Sequence, residues 1–538
     1  MAGMTGTLFI NGRIQALDQG GLSGKEADAV YVEHGRIRAV GRTAELKLQL
    51  AGRVVQTVDW DGAVVLPGLT DSHMHLSMHG MKLAMLDFSS VTSKEEMLRL
   101  VRERAAVTPP GEWILGLNWD ENRFVPAGAP TLEELDAVSD RHPIFLTRTC
   151  FHAYLANSEA FRRAGITAET PDPEAGAYGR DEAGRLNGWV YEEASVPFTR
   201  VQPEPDYAAK KDAIRRAWLD ALRLGLTAAH TEDLRFLGSL ETMRRICREL
   251  REEGIAFRTH QLLYHPFLTE AEELGVRAGD GDDWMRLGAV KLFADGAIGG
   301  RTALLKQTYS DAPHTRGMAI QSEARLAEIV REARRQGFPI AVHAIGDGGA
   351  DLTLRAMEAL PLTPGCRLPD RLIHAQVLDA GLVRRMATLP LAADIQPRFV
   401  ASDFPWVLER VGEGRTEYLY AWKKLLAAGI ACAGGSDAPI EPLSPFLGMH
   451  AAVTRRAPEE THEGYLPEEK LSTAEAVALF TRGSAQAAGE AEERGEIAVG
   501  KAGDFTVIDR EIQGDPQQLL EAQVLMTVVN GEIGYRAP

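Results

Sequence analysis

Short apolar runs that end in polar residues recur along the middle of the chain. They alternate with amphipathic stretches, a pattern that predicts βα units and a parallel sheet. There are eight such runs, at residues 63–66, 226–230, 257–262, 289–293, 339–343, 371–374, 391–395 and 430–434. Eight is the strand count of a (β/α)8 TIM-type barrel, the α/β fold that we predict. An open doubly wound sheet is the alternative, but no Gly-x-Gly-x-x-Gly turn follows an early strand.

The two ends of the chain differ from its middle. Short β-like runs between glycine-containing turns lie at residues 7–10, 29–33, 35–40, 503–509 and 524–529. We predict a small β-sandwich domain completed by both termini, residues 1–62 and 491–538, beside a barrel of residues 63–490. The segment of about residues 80–207 is too long for a loop, so it predicts an inserted α/β subdomain.

Composition narrows the class of function. The 538 residues carry a formal net charge of −17, and no cluster of Lys and Arg suits a phosphate backbone or an anionic membrane. The four cysteines include no Cys-x-x-Cys pair, which predicts neither a disulfide framework nor a thiolate metal site. With no signal-like start and no run long enough to span a bilayer, we expect a cytoplasmic protein that binds neither nucleic acid nor membrane. The oligomeric state stays open, with a homodimer as the commonest alternative.

Residue types that bind metals stand at the ends of four of the apolar runs. His73 and His75 are two apart, so in an extended segment both imidazoles project to the same side. His343, His374 and Asp437 end three later runs. Catalytic groups of barrel enzymes lie at the carboxyl ends of the strands. Histidine and aspartate there suit a divalent metal, zinc above all.

Longer motifs around these residues resemble the metal-dependent amidohydrolase superfamily, and within it the amidohydrolase-3 branch, which includes N-substituted formamide deformylase. The resemblance covers nearly the whole chain. It is carried by Leu-Pro-Gly-Leu-Thr-Asp-Ser-His-Met-His at 66–75, Val-Lys-Leu-Phe-Ala-Asp-Gly-Ala-Ile-Gly-Gly-Arg-Thr at 290–302, Gly-Ser-Asp at 435–437 and Ile-Ala-Val-Gly-Lys-Ala-Gly-Asp at 497–504.

The resemblance implies a set of metal ligands and catalytic groups. One or two divalent ions, most often zinc, are implied per chain. It places His73 and His75 on the more buried metal, and His343 and His374 on the second. Lys291 would bridge the two as a carbamate formed with carbon dioxide, and Asp437 would be both a ligand and the proton carrier.

Substrate contacts have weaker support in the sequence. Trp119, His152 and Asn157 lie in the predicted insert and match the branch pattern there. Asp295 and Arg301 follow Lys291 and are expected either to organise that loop or to contact the substrate.

The resemblance implies hydrolysis of a carbon–nitrogen bond other than a peptide bond, in a small N-acyl or N-formyl amine. A hydrolytic deaminase or cyclic amide hydrolase on the same scaffold is the first alternative. Its mononuclear members carry a glutamate shortly after the fifth-strand histidine, whereas His343 is followed by Ala-Ile-Gly-Asp. A non-catalytic scaffold is the second alternative, and such members tend to lose ligands that this chain keeps.

Overall fold

The structure is a computed structural model that describes residues 6–18, 21–24, 26–53, 55–149, 153–173, 176–363 and 365–538. Its strands, in chain order, are β1 Gly6–Ile10, β2 Arg13–Asp18, β3 Gly21–Gly24, β4 Ala29–Glu33, β5 Arg36–Gly41, β6 Val55–Asp59, β7 Val64–Pro67, β8 Leu69–Met74, β9 Leu86–Asp87, β10 Ile114–Trp119, β11 Ile144–Arg148, β12 Ala153–Ala156, β13 Gly176–Arg180, β14 Leu186–Glu192, β15 Leu226–Thr231, β16 Arg258–Tyr264, β17 Met285–Phe293, β18 Ile340–Ala344, β19 Asp370–His374, β20 Leu391–Ile395, β21 Ala431–Gly434, β22 Phe505–Ile508, β23 Val524–Val529 and β24 Glu532–Arg536.

Helices connect and cover these strands. In chain order they are α1 Thr43–Gln49, α2 Leu76–Ala84, α3 Lys94–Val107, α4 Leu132–Val138, α5 Ser158–Ala164, α6 Val196–Arg200, α7 Tyr207–Arg223, α8 Leu234–Leu237, α9 Leu240–Glu252, α10 Leu268–Glu273, α11 Glu323–Arg335, α12 Asp347–Ala359, α13 Ala380–Met386, α14 Phe399–Asp403, α15 Trp406–Val411, α16 Trp422–Ala427, α17 Pro445–Thr454, α18 Thr473–Ala478, α19 Ser484–Ala487 and α20 Gln517–Glu521. Among the described residues, no helix is both long and apolar enough to cross a bilayer.

Eight of the described strands form one parallel sheet in the order β8, β15, β16, β17, β18, β19, β20, β21. The strands are buried along most of their length, which is why several of them, such as β18 and β20, read as apolar runs. Two backbone hydrogen bonds join the ends of the first and eighth strands: His75 N–H donates to Ala438 O at 2.8 Å, and Asp437 N–H donates to His73 O at 2.7 Å. The predicted (β/α)8 barrel is confirmed.

The assignment of residues 63–66 to the first barrel strand is wrong. It lies in β7, which pairs with β2 and β22 in another sheet, and the first barrel strand is β8. Both strands are wholly buried, but only β7 is apolar, whereas β8 reads Leu-Thr-Asp-Ser-His-Met. The apolar pattern therefore marks β7 and does not tell which sheet it joins. Gly68 separates them, and a Cβ there would lie 2.6 Å from Thr227 Oγ1 and 2.8 Å from Asp504 Cβ. The chain therefore passes between the two sheets through a gap that admits only glycine.

Two sheets built from both termini pack face to face. One has the order β5, β4, β1, β6 and the other β24, β23, β22, β7, β2, β3. Their core includes Phe9 stacked on Trp60 at 5.2 Å between ring centres, with Phe505 edge-on to both. Arg258 of β16 donates from Nε and Nη2 to Asp504 at 2.9 and 3.0 Å, which ties this sandwich to the barrel.

Residues Gly80–Ala213 form a compact unit of their own. Its sheet has the order β13, β14, β12, β11, β10, β9, with β9, β10 and β11 parallel and the remaining pairs antiparallel. Helices α3 and α4 contribute Met97, Val101 and Leu135 to its buried core, beside Trp119. The insert therefore has a hydrophobic core of its own.

Candidate active site

The residues with metal-binding side chains lie at the carboxyl end of the barrel. His73 lies within β8 and His75 follows it directly, Lys291 is in β17, His343 is in β18, and His374 is the last residue of β19. Asp437 follows β21, held by its backbone bond to His73. His374 and Asp437 have φ values of +77° and +57°, in a region that side chains rarely adopt. Such strained backbone is concentrated at functional sites.

Four of these side chains surround one point. His73 Nε2 lies 3.6 Å and His75 Nε2 3.5 Å from Asp437 Oδ1. Lys291 Nζ lies 3.0 Å from His73 Nε2. Among the described residues, His73, His75 and Asp437 form the group whose ligand atoms all lie within 4.8 Å of one another. Their spacing fits a divalent ion held by imidazole nitrogen and carboxylate oxygen.

Two further imidazoles lie next to this group. The ring centres of His343 and His374 are 4.4 Å apart, and those of His73 and His374 are 5.7 Å apart. The five candidate ligands other than Lys291 are therefore contiguous, and the lysine lies among them.

Oxygen acceptors hold three of the four histidines in a defined tautomer. His75 Nδ1 donates to the backbone carbonyl of Glu232 at 3.0 Å, and His374 Nδ1 donates to Gln396 Oε1 at 2.7 Å. His343 Nε2 donates to the carbonyl of Gly296 at 3.1 Å. Each neutral ring thus keeps a lone pair on its other nitrogen, as metal-binding histidines require.

Burial sets the charge state of the site. Burial, with Lys291 nearby, lowers the pKa of His73 far below its usual range, and burial beside His374 does the same to the pKa of His343. Burial lowers the pKa of His374 to about 4. These three rings are neutral at pH 7 and have a lone pair for a metal. Burial also lowers the pKa of the Lys291 ammonium to about 8.

Asp437 remains a carboxylate. Burial alone would raise its pKa, but the contact with His75 and the positive charge of its neighbours outweigh burial, so the pKa lies below its usual value. Two opposing effects also set the pKa of His75: burial lowers it and the Asp437 carboxylate raises it, and the net shift is upward. Asp437 can therefore act as an anionic ligand or as a base.

Two of the three residues predicted as substrate contacts in the insert lie in its core. Trp119 is fully buried in the core of the insert, and its Nε1 donates to Leu146 O at 3.0 Å. Asn157 is also fully buried, and its Oδ1 accepts from the N–H groups of Ile144 and Ala160 at 2.9 and 3.0 Å, the latter capping α5. Neither side chain has exposed surface for a substrate. His152 lies outside the described residues.

The other two predicted contacts organise the loop after β17. Asp295 is fully buried and accepts backbone N–H groups of Leu304, Ile345 and Gly346 at 2.9, 3.0 and 2.8 Å. Arg301 is paired with Asp311 at 2.6 Å near the surface. Asp295 thus fixes the segment next to His343, and a direct role of either residue in substrate binding stays a prediction.

Comparison with known proteins places the chain in a family. The sequence model described as "Amidohydrolase family" matches residues 56–535. The chain belongs to the amidohydrolase family. The protein YtcJ of Bacillus subtilis (strain 168) is 40% identical over 515 residues, which covers 95% of this chain and 96% of YtcJ. This result confirms the resemblance to the amidohydrolase-3 branch.

Two further similarities extend over almost the whole chain. The N-substituted formamide deformylase of Arthrobacter pascens is 28% identical over 555 residues, which covers 99% of each chain. A solved structure, named as an uncharacterized metal-dependent hydrolase from Pyrococcus furiosus, is 29% identical with a TM-score of 0.76, and the match covers 95% of this chain and 99% of that one. This amidohydrolase is thus a hydrolase with the barrel fold of its family.

Proposed function

We propose that this chain is a metal-dependent hydrolase that cleaves the carbon–nitrogen bond of N-acyl or N-formyl amines. The observation that carries the proposal is the convergence of neutral imidazoles, one carboxylate and one buried lysine at the carboxyl end of the barrel. Similarity to an N-substituted formamide deformylase favours the amide substrate class. The side chains proposed to hold the metal, zinc above all, are those of His73, His75, Lys291, His343, His374 and Asp437.

Lys291 is proposed to act as a carbamate. Lys291 is 1% exposed, and its Nζ lies 3.0 Å from His73 Nε2, the nitrogen whose lone pair a metal needs. An ammonium there competes with a cation for that lone pair and repels it. Reaction of the neutral amine with carbon dioxide gives a carbamate and releases one proton, so the same side chain becomes an anionic oxygen ligand.

Asp437 is proposed to carry the proton. A divalent ion held there would supply an activated water, whose pKa such an ion can lower from about 15.7 to about 7, and would polarise the amide carbonyl. The Asp437 carboxylate would accept a proton from the attacking water and donate it to the leaving nitrogen, which would depart as a neutral amine. The contacts to His73 and His75 hold the carboxylate in place for both transfers.

The test compares Asp437→Asn and Lys291→Ala with Lys423→Ala, a control at an exposed lysine of α16. Zinc-loaded protein prepared with bicarbonate is assayed for amine release from a panel of N-formyl and N-acetyl amines. We expect hydrolysis by the wild type and the control, and a loss of at least about a thousandfold in the two site variants. Retained activity in either site variant with an intact fold would refute the role proposed for that residue.

Carboxylation of Lys291 has a separate readout. Protein loaded with zinc and ¹³C-bicarbonate is expected to show a carbamate carbon signal in the wild type and none in Lys291→Ala. Absence of the signal in fully metal-loaded wild type would contradict the carbamate while leaving the hydrolase proposal to the activity test.

A further inference from the structure

Arg235 is held rigidly at the same end of the barrel as the candidate ligands. It lies in α8, four residues beyond Thr231, the last residue of β15. Its Nε donates to Glu232 Oε2 at 2.6 Å, and its backbone N–H donates to Glu232 Oε1 at 3.2 Å. The Glu232 side chain is 0% exposed whereas that of Arg235 is 42% exposed. The pair therefore fixes the inner edge of the guanidinium and leaves its outer part accessible.

Two aromatic rings fix the plane in which Arg235 lies. Its Cζ is 5.3 Å from the ring centre of Tyr264 and 5.1 Å from that of Phe293. Phe293 ends β17, two residues after Lys291, whose Nζ is 5.0 Å from the same ring centre. Arg235 Cζ is therefore no more than about 10 Å from Lys291 Nζ. Contacts of this kind stabilise a cation and restrict its rotamers.

The Nη1–Nη2 edge of the guanidinium has no partner within the described part of the chain. The hydrogen bonds of Arg235 there are those to Glu232, and Glu232 is the only acidic side chain paired with it. Arginine binds a carboxylate through two parallel N–H donors, and a pre-oriented guanidinium loses little entropy in doing so. A fixed cation with an open edge, next to the candidate metal site, is suited to an anionic ligand.

We propose that Arg235 anchors a carboxylate of the substrate, so that the preferred substrates are N-acyl or N-formyl amines bearing a carboxylate, as N-acyl amino acids do. This inference rests on the proposed function for the reaction and adds the substrate class. A distance of up to about 10 Å from Lys291 corresponds to at most about three residues of extended chain, so a small substrate can reach both groups. The rings of Tyr264 and Phe293 supply apolar contacts for the part between them.

The test uses pairs of ligands that differ only in the carboxylate. N-acetyl-L-phenylalanine is compared with N-acetyl-2-phenylethylamine, and the two N-formyl analogues form a second pair. Binding to the zinc-loaded full chain is measured by calorimetry, and hydrolysis by amine release, for the wild type, Arg235→Gln, Arg235→Lys and Arg248→Gln. Arg248 is an exposed arginine of α9 and serves as the matched control.

We expect the wild type and Arg248→Gln to bind the acid at least about tenfold more tightly than its neutral partner. Arg235→Gln should weaken binding of the acid by about 10- to 100-fold, the value of about one charge-assisted hydrogen bond, and change binding of the neutral partner less than about twofold. Arg235→Lys keeps the charge but not the forked geometry, so its affinity for the acid should lie between those of the wild type and Arg235→Gln.

A purely structural role for Arg235 predicts a different result. Loss of its ion pair would disturb Glu232, whose carbonyl holds His75, and would weaken both members of each pair equally. Equal weakening, absence of a preference in the wild type, or no binding of either ligand would overturn the anchor. Hydrolysis without a preference for the acid would refute the anchor alone. Preference without hydrolysis in zinc-loaded protein would support the anchor and contradict the proposed function.

Discussion

The hydrogen bond between His374 and Gln396 allows a quantitative test of the candidate metal site. His374 is 3% and Gln396 2% exposed, and their bond is 2.7 Å long. Gln396→Leu keeps most of the side-chain volume but removes the acceptor. A buried N–H left without a partner costs about 1–3 kcal/mol. Loss of such a ligand-orienting partner weakens metal binding by about 10- to 100-fold, or about 1.4–2.8 kcal/mol. The two values agree, so we expect that loss in zinc affinity.

The zinc dissociation constant of Gln396→Leu is measured by competition with a chromogenic chelator at fixed pH. Gln261→Leu is the matched control, because Gln261 is 2% exposed in the same barrel and its Oε1 has no partner among the described side chains. We expect its zinc affinity to stay within about twofold of wild type, and Gln396→Glu, which retains an acceptor, to recover most of the loss. An unchanged affinity in Gln396→Leu would refute the assignment of His374 as a ligand oriented by Gln396.

Two substitutions elsewhere probe the frame around the site. In Gly435→Ala the new Cβ would lie 2.6 Å from His73 N and 2.9 Å from His73 O, so we expect zinc affinity to fall by about tenfold or more. Gly414→Ala, where a Cβ would have no atom within 4 Å, should leave zinc affinity unchanged. Equal zinc affinities of the two variants in the same chelator assay would contradict this expectation. Arg258→Met leaves the buried carboxylate of Asp504 unpaired and should lower the free energy of unfolding in urea by about 3–5 kcal/mol; a loss below about 1 kcal/mol would show that the pair does not stabilise the fold.

The barrel and the placement of its polar groups could be predicted because they depend on local pattern. Apolar runs ending in polar residues identify strands, and the carboxyl ends of parallel strands meet at one end of a barrel. This rule brings His73, His343, His374 and Asp437 together from segments more than 360 residues apart, as the structure does. Their role as metal ligands stays a prediction until a metal is measured.

The partners of these histidines had no comparable signal. Glu232 holds His75 through a backbone carbonyl 157 residues away, which any residue type could provide. Gln396 directly follows β20, so the end of a predicted strand could have marked it, but its residue type suggests no particular chemistry. The position of Arg235 could not be predicted either, because it depends on two rings contributed by other strands.

Burial in the insert and in the first barrel strand could not be predicted from the sequence patterns. Trp119 and Asn157 match a family pattern, but a pattern does not distinguish a residue that contacts substrate from one that stabilises the insert. Trp119 fills the insert core, and Asn157 satisfies backbone donors at the start of a helix. The assignment of residues 63–66 to the barrel was wrong because a short, buried apolar strand has the same pattern whichever sheet it joins, and because the adjacent barrel strand β8 is buried but mostly polar.

Metal content per chain tests the central claim most directly. Protein expressed with added zinc and bicarbonate is measured by elemental analysis beside Lys291→Ala and the control Lys423→Ala. We expect about two zinc ions per chain in the wild type and the control, as in bridged two-metal sites, and about one or fewer in Lys291→Ala. About one ion in both the wild type and Lys291→Ala would remove the bridging role of Lys291. No retained metal in the wild type, even after reloading, would contradict the metal-dependent hydrolase itself.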